Sequence, residues 1–282
     1  MARCCSSNSC LVTHSRTALT ALLQEYGLSP SRALGQNFVV DANTVRRIAR
    51  LANVGPGDLV VEIGAGLGSL TLALAETGAT VEAIEVDRHL LAPLSSVLSP
   101  LGIPVHHMDA LEADYDQILK GRQAVVVANL PYNVATPLVV HLLETQPLLQ
   151  RFLVMVQKEV GERMAAHAGD EAYGAVSLRV QYFGEAHVVG KVSPTVFYPK
   201  PKVDSVLVEI TRRPSVAIDP SVVSEEALFD VVRSSFAHRR KMLRRSLDAW
   251  ATEETFRKAD VEGTRRPEEL TLEEFARLAA AR

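Results

Sequence analysis

Short apolar runs that alternate with helical stretches restrict this chain to one broad architecture. Leu59–Ile63, Thr80–Glu85, Pro104–Met108, Ala124–Ala128 and Phe152–Val156 read as strands. Between them the apolar spacing turns helical: Leu67, Leu70, Leu74 and Ala75, then Asp87–Leu98, then helices opening at Thr136-Pro137 and at Lys158. Strands alternating with helices predict an α/β fold, a mainly parallel sheet covered on both faces and wound with right-handed crossovers. Ligands of such sheets bind beyond the carboxyl ends of the strands.

Those ends carry polar groups. Glu62-Ile63-Gly64-Ala65-Gly66-Leu67-Gly68 is a glycine-rich strand-to-helix turn, with Ser69 where a dinucleotide fingerprint wants its third glycine. Glu85 ends the second strand, at a distance that suits a carboxylate accepting from ribose hydroxyls. Asp109 follows the third and can accept from an adenine amino group, and Asn129 follows the fourth. Each alone could be a turn or cap residue; four consecutive ends address one crevice. In Asn129-Leu130-Pro131-Tyr132 the Asn amide oxygen is one acceptor. Pro131 pushes Leu130 to an extended conformation, so its carbonyl can serve as a second. Tyr132 adds a flat ring. Two acceptors and a ring suit a planar substrate with an exocyclic amino group, and the tetrapeptide looks like the Asn/Asp-Pro-Pro-aromatic signature of amino-methyltransferases.

The flanking segments suggest a three-part organisation. Residues 1–28 read as an N-terminal extension with a helical patch around Thr17–Tyr26, residues 29–213 as the ligand-binding domain and residues 214–282 as a small all-helical domain. Asp41 is placed to cap a helix carrying Val45, Ile48, Ala49 and Ala52. Ala186–Val192 and Val203–Ile210, joined by the Pro-rich Ser193–Lys202, predict an antiparallel hairpin at the sheet edge. Beyond a linker bracketed by Pro214 and Pro220, helices are expected over Val222–Phe236, Lys241–Trp250, Thr252–Ala259 and Leu272–Ala281.

Composition narrows the partners. With 282 residues, 47% of them hydrophobic, the chain can bury a sizeable core. Its net charge of −3 means that any nucleic-acid site must be a local patch. Arg233, Arg239, Arg240, Lys241, Arg244 and Arg245 form such a cluster, and Lys200 and Lys202 lie in the Pro-rich segment. A helix starting near Arg240 would set Arg240 with Arg244, and Lys241 with Arg245, as like-charge neighbours that a polyanion would relieve. The three cysteines, Cys4, Cys5 and Cys10, have no histidine at metal-ligand spacing and no later cysteine to pair with. No metal site is expected, a reducing, cytoplasmic setting is expected, and no run approaches a membrane span.

The motifs taken together resemble the small-subunit ribosomal RNA adenine N6,N6-dimethyltransferase family, the kasugamycin-sensitivity methyltransferases. They are Leu34-Gly35-Gln36-Asn37-Phe38, the Glu62–Gly66 turn, Glu85-Val86-Asp87, Asp109-Ala110, Asn129–Asn133, Gln157-Lys158-Glu159-Val160, the segment Phe197–Ser205, and Phe236–Lys241. The resemblance covers about residues 29–282; many members have Pro where Ala65 stands. It implies a Rossmann-like S-adenosylmethionine methyltransferase sheet, S-adenosylmethionine as methyl donor without a metal, and small-subunit rRNA in a 30S-type particle as partner of a monomer. It further implies that Asn37 and the Val39 backbone close over the methionine end of the cofactor, with Gly64 beneath. Glu85 would hold the ribose, Asp109 the adenine, and Asn129 would sit beside the methyl. Tyr132 and Phe197 would clamp a splayed adenine, while Lys200, Lys202, Arg239, Arg240, Lys241, Arg244 and Arg245 contact RNA. The rival readings are a large-subunit rRNA methyltransferase of the antibiotic-resistance type and a non-catalytic ribosome-assembly factor on the same scaffold. A dehydrogenase is disfavoured by the missing third glycine.

Overall fold

The computed structural model describes residues 15–31, 34–131, 134–238 and 240–282. Cys4, Cys5, Cys10, Tyr132 and Arg239 lie outside the described residues. In chain order the elements begin with α1 (Arg16–Glu25), β1 (Phe38–Val39), α2 (Ala42–Leu51), β2 (Leu59–Ile63), α3 (Ser69–Ala75), β3 (Thr80–Glu85) and α4 (Leu91–Leu98). Next come β4 (Val105–His107), α5 (Tyr115–Leu119), β5 (Ala124–Asn129), α6 (Ala135–Thr145), β6 (Leu149–Gln157), α7 (Lys158–Ala165), α8 (Ala175–Phe183) and β7 (Gly184–Val192). The chain closes with β8 (Phe197–Tyr198), β9 (Ser205–Arg212), α9 (Glu225–Phe236), α10 (Leu243–Ser246), α11 (Glu253–Ala259) and α12 (Leu272–Ala280).

The main sheet has seven strands in the order β4-β3-β2-β5-β6-β9-β7. The first five pair in parallel, and β9 runs antiparallel to both β6 and β7. Both faces are covered, as the β-branched runs require. On β5 and β6, Val126, Ala128, Phe152 and Val154 face the core built with α6 and α8, while Val127, Leu153 and Met155 face α2 and α3. This alternation pins the register, because a one-residue slip would move every side chain to the other face. The chain leaves β2 toward β3 and β4, then returns to place β5 on the other side of β2. That reversal makes the carboxyl ends of β2 and β5 the switch point of the sheet.

Local expectations hold where local chemistry decides. Asp41 caps α2, its Oδ2 accepting from the Thr44 amide at 2.7 Å. Elsewhere the structure differs. The predicted edge hairpin exists, but β9 lies inside the sheet and only β7 forms the edge. Val206, Leu207, Val208 and Ile210 are apolar on both faces and need neighbours on both sides, whereas Glu185, His187 and Lys191 keep β7 at the rim. The Pro-rich connection contributes β8, which pairs with β1 through Phe38 opposite Tyr198 and Val39 opposite Phe197. The helix after β3 starts at Leu91 rather than Asp87, because the Asp87 carboxylate is engaged in a turn with the His89 amide. Within the expected extension, α1 packs into the fold: Leu19 and Leu23 are buried against Phe38, Leu67 and Leu90.

The C-terminal helices share one hydrophobic cluster with the sheet, running from Phe152 and Val154 through Leu178 and Tyr182 to Phe229, Leu243 and Phe275. Helix α8, which the sequence periodicity does not single out, is the bridge. The Tyr173 hydroxyl just before it donates to the Leu270 carbonyl at 2.9 Å. The Arg179 guanidinium lies 3.7 Å from the centroid of the Phe229 ring and pairs with Glu225. The expected long helix over Lys241–Trp250 reduces to α10. Met242 is extended, and the Leu243 and Arg244 amides donate to the Arg265 and Gly263 carbonyls instead. Arg240 and Lys241 therefore precede the helix, and the predicted like-charge pairs with Arg244 and Arg245 do not form on one helical face.

One half-buried cation ties α6 to the sheet. The Arg212 guanidinium, at the end of β9, donates to the carbonyls of Leu142, Leu143, Gln146 and Leu149 at 2.8–3.1 Å. It closes the C-terminus of α6, where carbonyls lack helical partners and a positive charge is favoured. Arg212→Met should lower the unfolding free energy by about 3 kcal/mol, the scale of losing charge-assisted bonds and stranding their acceptors. Urea titration should show the midpoint fall with an unchanged slope.

Candidate functional site

A cleft of about 280 Å³ opens at the switch point. Its floor is the glycine-rich turn after β2. Gly64 and Gly66 have φ of +77° and +61°, a region open to glycine at little cost. A Cβ on Gly66 would stand 3.1 Å from the Phe38 ring, and one on Gly64 would stand 3.7 Å from the Asn129 carbonyl oxygen. The turn thus runs between β1 on one side and the end of β5 on the other.

Four strand ends meet in this cleft, as the sequence predicts. Gly64, Glu85, Asp109 and Asn129 all line it, together with Asn37, Val39, Leu130, Pro131 and Phe197. Glu85 is buried, with Oε2 accepting from the Gly66 amide at 2.7 Å and Oε1 from the Asp87 amide at 2.8 Å. Burial pushes its carboxyl above the ordinary range, and the two amide donors pull back toward the charged form. Each oxygen keeps a second lone pair for a hydroxyl donor. Asp109 is exposed at the cleft, with Oδ1 engaged by the Leu111 amide at 2.9 Å.

The segment before β1 lies across the cleft. The Asn129 Nδ2 donates to the Asn37 main-chain carbonyl at 3.0 Å. The amide oxygen, on the other side of the planar group, is then the acceptor that Asn129 offers. The Leu130 side chain is buried in the core, and its amide donates to the Met155 carbonyl at 3.1 Å. Any contact that Leu130 makes with a ligand must therefore come from its carbonyl. The Pro131 carbonyl is occupied by the amides of Val134 and Ala135 as α6 begins. Phe197 lines the cleft from β8, yet it is only 1% exposed and also packs with Val39, Met155 and Leu207.

The basic residues stand apart from this cleft. Lys200, Lys202, Arg240, Lys241, Arg244 and Arg245 are exposed, none lines it, and none is paired with a carboxylate among the described residues. Arg240 instead borders a second groove, with Glu159, Glu162 and Glu268. Arg233, grouped with these cations from the sequence, is paired with Asp230 at 2.7 Å. Among the described residues no cluster of His, Cys, Asp and Glu is arranged to hold a metal, and no helix is long and apolar enough to cross a membrane.

The sequence alone assigns Glu62 no role of its own. It sits in the middle of a fully buried strand, 1% exposed, beside the Thr71 hydroxyl of α3; neither Glu62 Oε2 nor Thr71 Oγ1 makes a hydrogen bond of normal geometry. Burial, reinforced by the charge on Glu85, pushes its carboxyl up to about 8. Between the ordinary value of 4.5 and about 8, the folded chain then holds a proton that the unfolded chain releases. Stability from this group is present below that window and is lost as pH rises through it. Glu62→Gln should flatten this fall: thermal melts across the window should show wild-type stability declining relative to the variant as pH rises.

Comparison with known proteins follows the same outline. The family model described as ribosomal RNA adenine dimethylase matches residues 28–281. A ribosomal RNA small subunit methyltransferase A from Thermobifida fusca is 44% identical over 270 residues, covering 93% of each chain. The crystal structure of the 23S rRNA methyltransferase ErmE superposes with a TM-score of 0.68 at 26% identity, covering 86% of this chain and 98% of that one. A dimethyladenosine transferase from Plasmodium falciparum shares the fold, with a TM-score of 0.70 at 24% identity over 84% of this chain and 94% of that one. With the switch-point cleft, the glycine-rich turn and Asn129-Leu130-Pro131 in place, the chain belongs to the ribosomal RNA adenine dimethylase family.

Proposed function

We propose that this protein transfers methyl groups from S-adenosylmethionine to the N6 amino groups of adjacent adenines in small-subunit rRNA, giving dimethyladenosine, and that it acts as a monomer on a 30S-type particle in the cytoplasm. The observation that carries the reading is the convergence of Asn129, Glu85, Asp109 and the Gly64–Gly66 turn on one cleft. The 44% identity to a small subunit methyltransferase, against 26% to the 23S enzyme, favours the small-subunit substrate. The intact set of polar groups argues against a purely structural factor.

The cleft fits the cofactor by the chemistry of its donors and acceptors. Glu85 Oε1 and Oε2 can take the two ribose hydroxyls, and Asp109 Oδ2 can take the adenine amino group. The Asn37 and Val39 segment, which lines the cleft, would cover the methionine end. S-adenosylmethionine supplies a methyl on a cationic sulfonium, so the leaving group is already activated.

The residues must improve a poor nucleophile. An adenine amino nitrogen has its lone pair delocalised into the ring. Acceptance of its two protons by Asn129 Oδ1 and the Leu130 carbonyl would favour a tetrahedral nitrogen with the lone pair aimed along the transfer axis. Positioning and preorganised dipoles then do the work, and the proton leaves to solvent after transfer. Tyr132 would hold the splayed base by stacking, and the Phe197 ring, packed among Val39, Met155 and Leu207, would back the wall of its pocket. The unpaired cations on the β8–β9 loop and around α10 would contact phosphates, which supplies affinity without base identity.

Two substitutions separate binding from chemistry. Glu85→Ala should weaken cofactor binding in calorimetric titration, since two hydroxyls lose their acceptor. Asn129→Ala should leave that affinity close to wild type and lower single-turnover methyl transfer by about 10²-fold; a wild-type transfer rate would remove Asn129 from the chemistry. For RNA recognition, Arg244→Glu together with Arg245→Glu should weaken binding to small subunits. It should also reduce the salt slope by about 0.7 for each phosphate that is no longer neutralised, with cofactor affinity unchanged.

A further inference from the structure

The Asn129 side chain can serve as an acceptor for the target amino group in only one of its two amide orientations. Rotated by 180° about its last torsion, it would present Nδ2 to an amino group, donor against donor. The shape of the pocket cannot choose between the two, because the amide oxygen and nitrogen are nearly equal in size. The choice rests on the partner of Nδ2, which is the main-chain carbonyl of Asn37 at 3.0 Å. Whatever places that carbonyl places the acceptor.

Two anchors hold it. On its C-terminal side the chain enters β1, paired with β8. On its N-terminal side stands Gln36. The Gln36 Nε2 donates to Asp87 Oδ2 at 2.7 Å, and its Oε1 accepts from the Ser31 amide at 2.8 Å. The Gln36 amide also donates to the Ser31 carbonyl at 3.1 Å. One donor and one acceptor on the same side-chain amide fix its own orientation. Asp87 is in turn positioned by its main-chain amide, which donates to Glu85 Oε1 at 2.8 Å, and by the His89 amide, which donates to its Oδ1 at 3.0 Å. A continuous chain of polar contacts thus runs from the carboxylate at the end of β3, through Asp87, Gln36 and the Asn37 carbonyl, to the amide at the end of β5.

We propose that Gln36 is a positioning residue for methyl transfer: by latching the segment across the cleft to Asp87, it keeps the Asn37 carbonyl on Asn129 Nδ2 and so holds Oδ1 in the accepting orientation. This rests on the methyl-transfer reading above. With the latch open, the Asn37 carbonyl moves off Nδ2 and the accepting orientation becomes the minor one; a competent fraction of about one tenth lowers the rate about 10-fold.

The test is a double-mutant cycle in single-turnover transfer from labelled S-adenosylmethionine to small subunits, at saturating cofactor, with cofactor affinity measured separately by calorimetry. Gln36→Ala should lower the transfer rate about 10-fold in the wild-type background, within the range known for slight misplacement of a catalytic group. In the Asn129→Ala background it should lower the rate less than about 2-fold, because the amide that it orients is gone. Gln36→Glu keeps the side chain's size but sets a carboxylate against Asp87, and should lose at least as much as Gln36→Ala. An equal loss in both backgrounds, a wild-type rate for Gln36→Ala, or a loss recovered by raising the cofactor concentration would each overturn the inference while leaving the methyl-transfer reading intact. A wild-type protein that methylates no subunit RNA would overturn both.

Discussion

The parallel pairing of β2 with β5, register-locked from Val60 opposite Val125 to Ile63 opposite Ala128, is the constraint on which the rest of the site depends. It brings the glycine-rich turn and the Asn129 segment to the same height on adjacent strands. Because each face packs against its own set of helices, neither strand can shift by one residue without moving every side chain into the other core. Under the proposed function, a methyl donor over the turn and an amino group held by Asn129 would be set side by side by core packing. The loops around the cleft refine the geometry that the register imposes.

The site also has to manage charge in a dry setting. Glu62 and Glu85 lie on neighbouring strands, both buried, and the charge on Glu85 adds to the proton affinity of Glu62. Two bare carboxylates there would be costly. The structure divides the problem. Glu85 takes two backbone amides, one from the glycine-rich turn, and these oppose the rise in proton affinity that its burial causes. Glu62, with no such donors, carries a proton at neutral pH. The same turn that makes room for a ligand thus also supplies a donor that helps keep Glu85 an acceptor.

The C-terminal helices are joined to the sheet by continuous core rather than a loose tether. Tyr173, Arg179 and Tyr182 all cross from the α8 region to the last helices, and the Ala217 amide pins the connecting segment to the Tyr182 carbonyl at 2.9 Å. Cations presented by α10 and its preceding turn are consequently held at a set distance from the cleft. Lys200, Lys202, Arg240, Lys241, Arg244 and Arg245 are among the exposed cations that have no carboxylate partner among the described residues.

How much of this the sequence could show divides along physical lines. The parallel strands, the Asp41 cap, the glycine-rich turn and the polar strand ends were legible because they follow from periodicity and from residue chemistry within a few positions of each other. The family resemblance was legible because its motifs lie at those same places. Four features were not legible. They are the insertion of β9 inside the sheet, the β1–β8 pair, the burial of α1, and the collapse of the expected Lys241–Trp250 helix to one turn. Each is decided by partners far along the chain: Arg265 and Gly263 for α10, Tyr198 for β1, Leu67 and Leu90 for α1. The orientation of the Asn129 amide belongs with them. The sequence by itself determined which groups stand at the ends of the strands. Only the tertiary structure decided which way Asn129 faces, because the carbonyl that orients it comes from Asn37, which the fold alone brings across the cleft.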